Sequence, residues 1–532
     1  MRVFFGVRNK FNFCRPVQMN ELFFEIHISR IYLNLYTNYF DMKRLLLLSV
    51  IVITSFSFGQ APVIEWQKSL GGTGYDASQS IQQTTDGGYI VAGFSESIDG
   101  DVTGNNGDFD YWIVKLDPSG NITWQKSLGG SGNDEARSIQ QTTDGGYIVA
   151  GYSDSNDGDV TGNHGASDYW IVKLDPSGNI TWQKSLGGSN YDEAHSIQQT
   201  TDGGYILAGF SAYPSDGDVT GTHGQIDYWI VKLDSIGNIT WQKSLGGSLL
   251  DEAHSIQQTT DGGFIVAGWS TSNNGDVIGN HGGYDHWVVK LDVNGNIAWQ
   301  KSLGGSEDDG GHAGGFIGLD ATSIQQTTDG GYILAAESNS NDGDVTGNHG
   351  GIDNWIVKLD VNGNITWQKS LGGMGGDITS SIQQTTDGGY IVAGWSLSID
   401  AWADVTGNHG NSDYWIVKLD VNGNITWQKS LGGTGWDSAL SIQQTTDGDY
   451  IVAGMATSNN GDVTGNHGVF DYWIVKLSND GTSNVTELNS NQPKELIKIV
   501  NLLGQEVEYI PNTILIYQYS DGTSEKVFTI ED

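Results

Sequence analysis

At 532 residues, with 76 Gly, 7 Pro and 37% hydrophobic residues falling in short bursts, the chain is too long for one small domain and has the texture of many short strands joined by turns. A formal net charge of −38 argues against nucleic acid as a partner, because a phosphate backbone is met by clustered Lys and Arg. The only cysteine is Cys14, so the chain beyond it has no disulfide, thiolate metal site or cysteine nucleophile.

Residues 42–59 have a basic start, an apolar run from Leu45 to Phe58 and small residues ahead of Gln60. This is the pattern of a secretory signal peptide cleaved after Gly59. The run falls short of the roughly 20 residues a membrane-spanning helix needs, so no transmembrane helix is expected in the mature chain. Residues 1–41 then read as a spurious upstream extension with Met42 as the true start; an uncommonly long leader is the alternative.

Residues 60–480 are repetitive. Aligned on Ile81, Ile139, Ile197, Ile256, Ile324, Ile382 and Ile442, the units are spaced by 58, 58, 59, 68, 58 and 60 residues. Each predicts four strands: SIQQTT (a), YIVAG (b), DYWIVKL (c) and NITWQKSL (d). The turns TTDGG and LDPSGN or LDVNGN join a to b and c to d. Four repeat positions supply 27 of the 63 acidic residues, so most of the charge is turn chemistry. Of the 18 Trp, 14 occupy two repeat positions, Trp112 and Trp124 with their equivalents, as expected for rings wedged between neighbouring sheets.

Such a unit cannot bury both of its faces alone, whereas a ring of units leaves no exposed end. The first WQKSL, at Trp66, has no preceding a, b or c strand, and the last unit ends after FDYWIVKLS with no strand d. The orphan strand therefore completes the last unit, which predicts an all-β, seven-bladed β-propeller closed by its N-terminal strand. The words GG…D…SI…TDGGYIVAG and DYWIVKLD..GNITW resemble bacterial extracellular β-propeller repeats, a family that implies ligand binding or scaffolding. The turn Asp117, Gly120, Trp124 is similar to the tryptophan-docking turns of quinoprotein propellers, as a packing device and without that cofactor.

Residues 481–532 lack the repeat words and predict a small β-sandwich-like domain with a hairpin about Asp521-Gly522. KIVNLLGQEV (498–507) and PNTILIYQYSDGTSEKV (511–527) resemble the C-terminal sorting domains of the type IX secretion system of Bacteroidetes. The resemblance implies that residues 483–532 engage that machinery and that the protein is secreted, then released or held at the cell surface.

Function is expected on the face carrying the b–c and d–a loops, which vary most between blades. In DGDVTGNHG, Asp99, Asp101 and Asn105 offer oxygen ligands of the kind Ca²⁺ accepts, and Asp101 recurs as Asp159, Asp218, Asp276, Asp344, Asp404 and Asp462; plain turn chemistry is the other reading. Six loop histidines, from His164 to His467, are spread around the ring and do not predict a zinc centre. Trp269, Trp395, Trp402 and Trp436 near an acidic mouth suit stacking on sugar rings, against the alternative of interblade packing. The long d–a loop adds Glu307, Asp308, Asp309, His312 and Asp320, in which paired carboxylates would suit glycoside hydrolysis. No catalytic motif accompanies them, so no catalytic residue and no enzyme is expected. The expectation is a binding or adhesion module for extracellular polysaccharide or a surface protein. The alternatives are a purely structural repeat protein and a carbohydrate-active hydrolase or lyase.

Overall fold

A computed structural model describes residues 61–311, 322–399, 404–478, 496–500, 507, 514–519 and 524–528. The extension 1–41, the signal segment 42–59 and the side chains of Trp402, His312 and Asp320 lie outside the described residues.

The repeat turns set the strands. In blade 1, strands a to d are Asp76–Gln83, Tyr89–Ser95, Asp110–Leu116 and Ile122–Leu128, hydrogen-bonded in chain order as one antiparallel sheet. The Asp86 carboxylate accepts from the Gly88 amide and is met by Lys115 Nζ at 2.9 Å, which ties the a–b turn to strand c. Asp117 likewise accepts from the amides of Ser119 and Asn121, and Gly120 supplies the positive φ of 77° that closes the c–d turn. Strand a is longer than SIQQTT suggests. It begins at Asp76, while Thr84 and Thr85 belong to the turn.

Seven such four-stranded sheets are present among the described residues. The seventh is closed as expected: Val63–Leu70 pairs antiparallel with Asp471–Ser478, and Gln67 accepts from Trp473 Nε1 at 2.9 Å as Gln125 does from Trp112. Strands b and c are buried on both faces, which is why they read as continuous apolar runs. The core is divided among the blade junctions. At one of them the Tyr111 ring lies 4.5 Å from Trp170 of the next blade, and its hydroxyl donates to the Trp170 carbonyl. Tyr472 and Trp112 repeat this contact across the closure.

The Trp of strand d docks on the neighbouring blade, not on its own turn. Trp66 lies under Gly120, where an added Cβ would stand 2.8 Å from Cζ3, and Trp124 lies under Gly178 in the same way. The strands a surround a central channel of about 250 Å³ lined by Ile81, Gln82 and their equivalents. Beyond the propeller, Leu496–Val500, Ile514–Tyr519 and Ser524–Phe528 form an antiparallel three-stranded sheet in which the last two strands pair, while the expected turn at Asp521-Gly522 lies outside the described residues. Among the described residues no helix is long and apolar enough to cross a membrane.

Val63 and Ser478 face each other in the closing register. Opposed residues of antiparallel strands stand about 4.5–5.5 Å apart at Cα, within disulfide range. Replacing Val63→Cys and Ser478→Cys together is therefore expected to give an intramolecular disulfide and roughly 2–4 kcal/mol of stability. Non-reducing electrophoresis and denaturant unfolding read both; absence of the crosslink under oxidising conditions would contradict the closure.

Candidate functional site

Two sets of polar residues depart from what sheet packing requires. The first lies at the blade junctions and contains the residues anticipated as calcium ligands. The Asp101 amide donates to the Gly71 carbonyl at 2.9 Å, and its carboxylate faces the Gly71 amide at 3.4 Å. Asp159, Asp218, Asp276 and Asp462 repeat both contacts on Gly129, Gly187, Gly246 and Gly432; Asp344 and Asp404 repeat the first on Gly304 and Gly372. Asp99 and Asn105, read with Asp101 as one oxygen set, turn elsewhere: Asp99 accepts from Thr73, and Asn105 bridges the Ser95 carbonyl and the Gly107 amide.

What joins Asp101 instead is a pair of buried carboxylates that come from two blades. A Cβ on Gly71 would stand 2.5 Å from Asp76 Oδ2 and 2.9 Å from Asp471 Oδ1. Asp76 is satisfied by Ser95, Ser97 and the Gly72 amide. Asp471 accepts on Oδ2 from the His467 amide and faces His467 Nδ1 at 2.7 Å, while its Oδ1 has no hydrogen bond. The loop histidines thus cap their own blades' carboxylates; in blade 1 Asn106 takes the place and serves Asp110 through its amide alone. Burial, opposed by the Asn106 amide and reinforced by Asp134 and Asp159, pushes Asp110 up to about 7. Asp192 is likewise raised to about 7 and Asp377 to about 6, with burial the leading cause.

The aromatic expectations resolve individually. Trp269 and Trp395 are 4% and 3% exposed, so neither presents a ring to solvent; Trp436 is half-buried on its d–a loop. In the long loop, Asp309 is no addition to the surface. It is fully buried as the blade 5 counterpart of Asp76, accepting from the Gly305 amide, Ser338 and Ser340, while Asp308 accepts from the Tyr284 amide. The inserted length therefore follows Asp309.

The second set was missed in the sequence, where the four residues before SIQQ passed for loop. They are the first half of strand a, toward the loop-bearing end of the channel. Two and four residues before the repeat Ile stand Arg137 and Glu135 in blade 2, His195 and Glu193 in blade 3, and His254 and Glu252 in blade 4. The equivalents are Gln79 and Ala77, Ser380 and Ile378, and Leu440 and Ser438; in blade 5 they are Thr322 and Asp320, the latter outside the described residues. Only three adjacent blades carry titratable side chains at both positions, and that interruption of the repeat was the available signal.

These side chains form a continuous arc. Arg137 pairs with Glu135 at 3.0 Å and lies over the Tyr152 ring at 5.6 Å. Burial raises Glu193 to about 7; Arg137 opposes that shift and Glu135 adds to it. The His195 and His254 rings are 4.9 Å apart, and both look toward Glu252. Phe210 and Trp269 stand behind the two imidazoles at 5.7 and 6.4 Å, so Trp269 enters this site as backing. Burial, with His254 and Arg137 as further causes, holds His195 well below the usual imidazole range and therefore neutral.

The raised junction carboxyls fix a pH dependence. Asp110, Asp192 and Asp377 keep protons in the folded state that an unfolded chain releases near pH 4. Their contribution is complete below pH 4 and is lost as pH rises through about 6 to 7; His195 and His286, lowered by burial, act in the opposite direction below pH 6.5. The carboxyls outnumber them, so in EDTA the melting temperature is expected to fall by several degrees from pH 5 to pH 8. Asp110→Asn should raise it at pH 8 and leave it nearly unchanged at pH 5. A melting temperature that rises over this window in scanning calorimetry would contradict the assignment.

No family model matches the chain. It is 23% identical over 423 residues to the regulatory protein FlaEY of Caulobacter vibrioides, an alignment covering 72% of the chain and 43% of that protein, so the chain spans less than half of that relative's length. Among solved structures it is similar to the hydrazine synthase of Kuenenia stuttgartiensis (TM-score 0.42, 9% identity, 72% of this chain and 94% of that one). A protein of unknown function from Dyadobacter fermentans gives TM-score 0.40 and 11% identity over 79% of this chain and all of the other. A puromycin hydrolase gives 0.42 and 11% over 86% and 62%.

Proposed function

We propose that this chain is an exported binding propeller that takes its ligand at the loop-bearing mouth of the central channel, over blades 2 to 4. The observation that carries the reading is the arc from Glu135 to His254, with titratable side chains at both positions in three adjacent blades and in no other blade of the repeat. The Tyr–Trp junction contact recurs at five junctions, with His286 and Asn354 in place of Tyr in blades 4 and 5, and it places no requirement for charge on strands a of blades 2 to 4. The arc mixes acceptors and donors: carboxylates, a guanidinium and imidazoles, backed by aromatic rings. That chemistry suits a hydroxyl-rich ligand, and an extracellular polysaccharide is the class we assign. Export rests on the signal segment 42–59 and on the resemblance of residues 483–532 to type IX sorting domains. Ca²⁺ at the junction carboxylates around Asp101 and its equivalents is part of this proposal, supported by the unsatisfied Oδ1 atoms of Asp110 and Asp471.

One observation favours a hydrolytic reading as the second choice. Glu193, raised to about 7 beside a neutral His195, has the protonation of a general acid.

The test is saturable binding of the purified protein to a panel of soluble and insoluble polysaccharides, in Ca²⁺ and in EDTA, with the supernatant assayed for released sugar. Arg137→Ala and Glu193→Gln are expected to weaken binding at least about tenfold, a cost of about 1.4 kcal/mol, with the fold checked by thermal unfolding. Trp436→Ala should have little effect. Binding indifferent to the arc would remove the site from the mouth. Released sugar would promote the hydrolase, and no binding to any member would leave the structural reading.

A further inference from the structure

The densest group of metal-ligating atoms among the described residues is His195, Glu252 and His254. Nδ1 of His195 and Nε2 of His254 lie 3.8 and 3.5 Å from the same oxygen, Oε1 of Glu252. One ligand atom from each of the three falls within 4.8 Å of the others. Ligands held at about 2.0–2.1 Å around a tetrahedral zinc ion stand roughly 3.3 Å from one another, so each nitrogen–oxygen separation is open by only a few tenths of an ångström.

The surroundings of His195 point the same way. Its Nδ1 is buried, has no hydrogen-bond partner and faces Glu252 Oε1, so a cation placed between the two would be held by both.

We propose that His195, Glu252 and His254 form a binding site for one divalent transition-metal ion of the zinc class. Two imidazoles and one carboxylate favour such an ion over Ca²⁺, which takes oxygen ligands. Three protein ligands leave a fourth position for water or for a ligand atom, the arrangement of an open zinc site. Adjacent blades are required: the two histidines hold the same repeat position on neighbouring strands, and in blade 2 that position is Arg137, which ends the series. The metal site shares the channel mouth with the polysaccharide reading but does not rest on it, because metal uptake is read with no saccharide present.

The experiment is Zn²⁺ titration of the full purified chain after EDTA treatment and dialysis, by calorimetry, with Co²⁺ absorption as a second readout. One equivalent per chain is expected, with Co²⁺ giving visible bands of a low-coordinate nitrogen–oxygen site. His195→Ala and His254→Ala should each weaken Zn²⁺ at least about tenfold, and Glu252→Gln should do the same. His164→Ala, in an outer loop, should change nothing. If a histidine variant does not fold, the Co²⁺ spectrum of the unaltered protein decides. No stoichiometric uptake, or uptake unchanged in His195→Ala, would overturn the site.

Discussion

A four-stranded blade of this repeat has two apolar faces and no means of covering either by itself. Everything else in the structure depends on the contact that covers them. At five of the seven junctions the Tyr of strand c sets its ring against the Trp of the next blade and its hydroxyl on that residue's carbonyl, as between Tyr111 and Trp170, while His286 and Asn354 take the place of Tyr in blades 4 and 5. Outside this, the Trp of strand d docks beneath the glycine turn of the following blade, as Trp124 does beneath Gly178. Each blade therefore finishes its neighbour. Such a series has an unfinished end unless it closes, and the N-terminal strand Val63–Leu70 closes it by supplying blade 7 with its outer strand.

The same contact concentrates negative charge. Strand c of one blade and strand a of the next both begin with Asp, and the b–c loop brings a third, so that Asp471, Asp76 and Asp101 meet around Gly71. The glycine is needed because a side chain there would collide with two carboxylates. Serine hydroxyls, backbone amides and the loop histidines satisfy most of the oxygens, and raised pKa values absorb part of the remaining repulsion. Much of the chain's acidity is thus interior architecture and not a surface designed for a cationic partner.

Function must come from whatever breaks the symmetry, since a sevenfold feature explained by packing needs no other cause. The arc Glu135, Arg137, Glu193, His195, Glu252 and His254 is such a break, and it lies on the first halves of strands a, at the end where the d–a loops enter. Its position on the innermost strands gives it rigid support, because strand a is held by strand b on one side and by the next blade's strand a through bonds such as Gln141 to Gln82 on the other. A site built this way is preorganised by the ring itself.

The spacing of the repeats, the orphan WQKSL and the missing last strand d determined the ring, its blade number and its closure, because strand periodicity and turn residues are local properties that survive in one dimension. The two Trp positions announced interblade packing for the same reason, although the partner of each docking Trp, the turn of the next blade, is a matter of tertiary register. The fate of the polar residues was not local. Asp101 could be seen as an oxygen donor, but of its companions Asp76 and Asp471 the second comes from the neighbouring blade, 370 residues away along the chain. Trp269 and Trp395 read either as sugar platforms or as interblade packing until burial removed them from solvent. His195 and His254 sit in separate repeats, each unremarkable alone. Only the curvature of the ring, which sets one strand a beside the next, turns two repeat positions into one site.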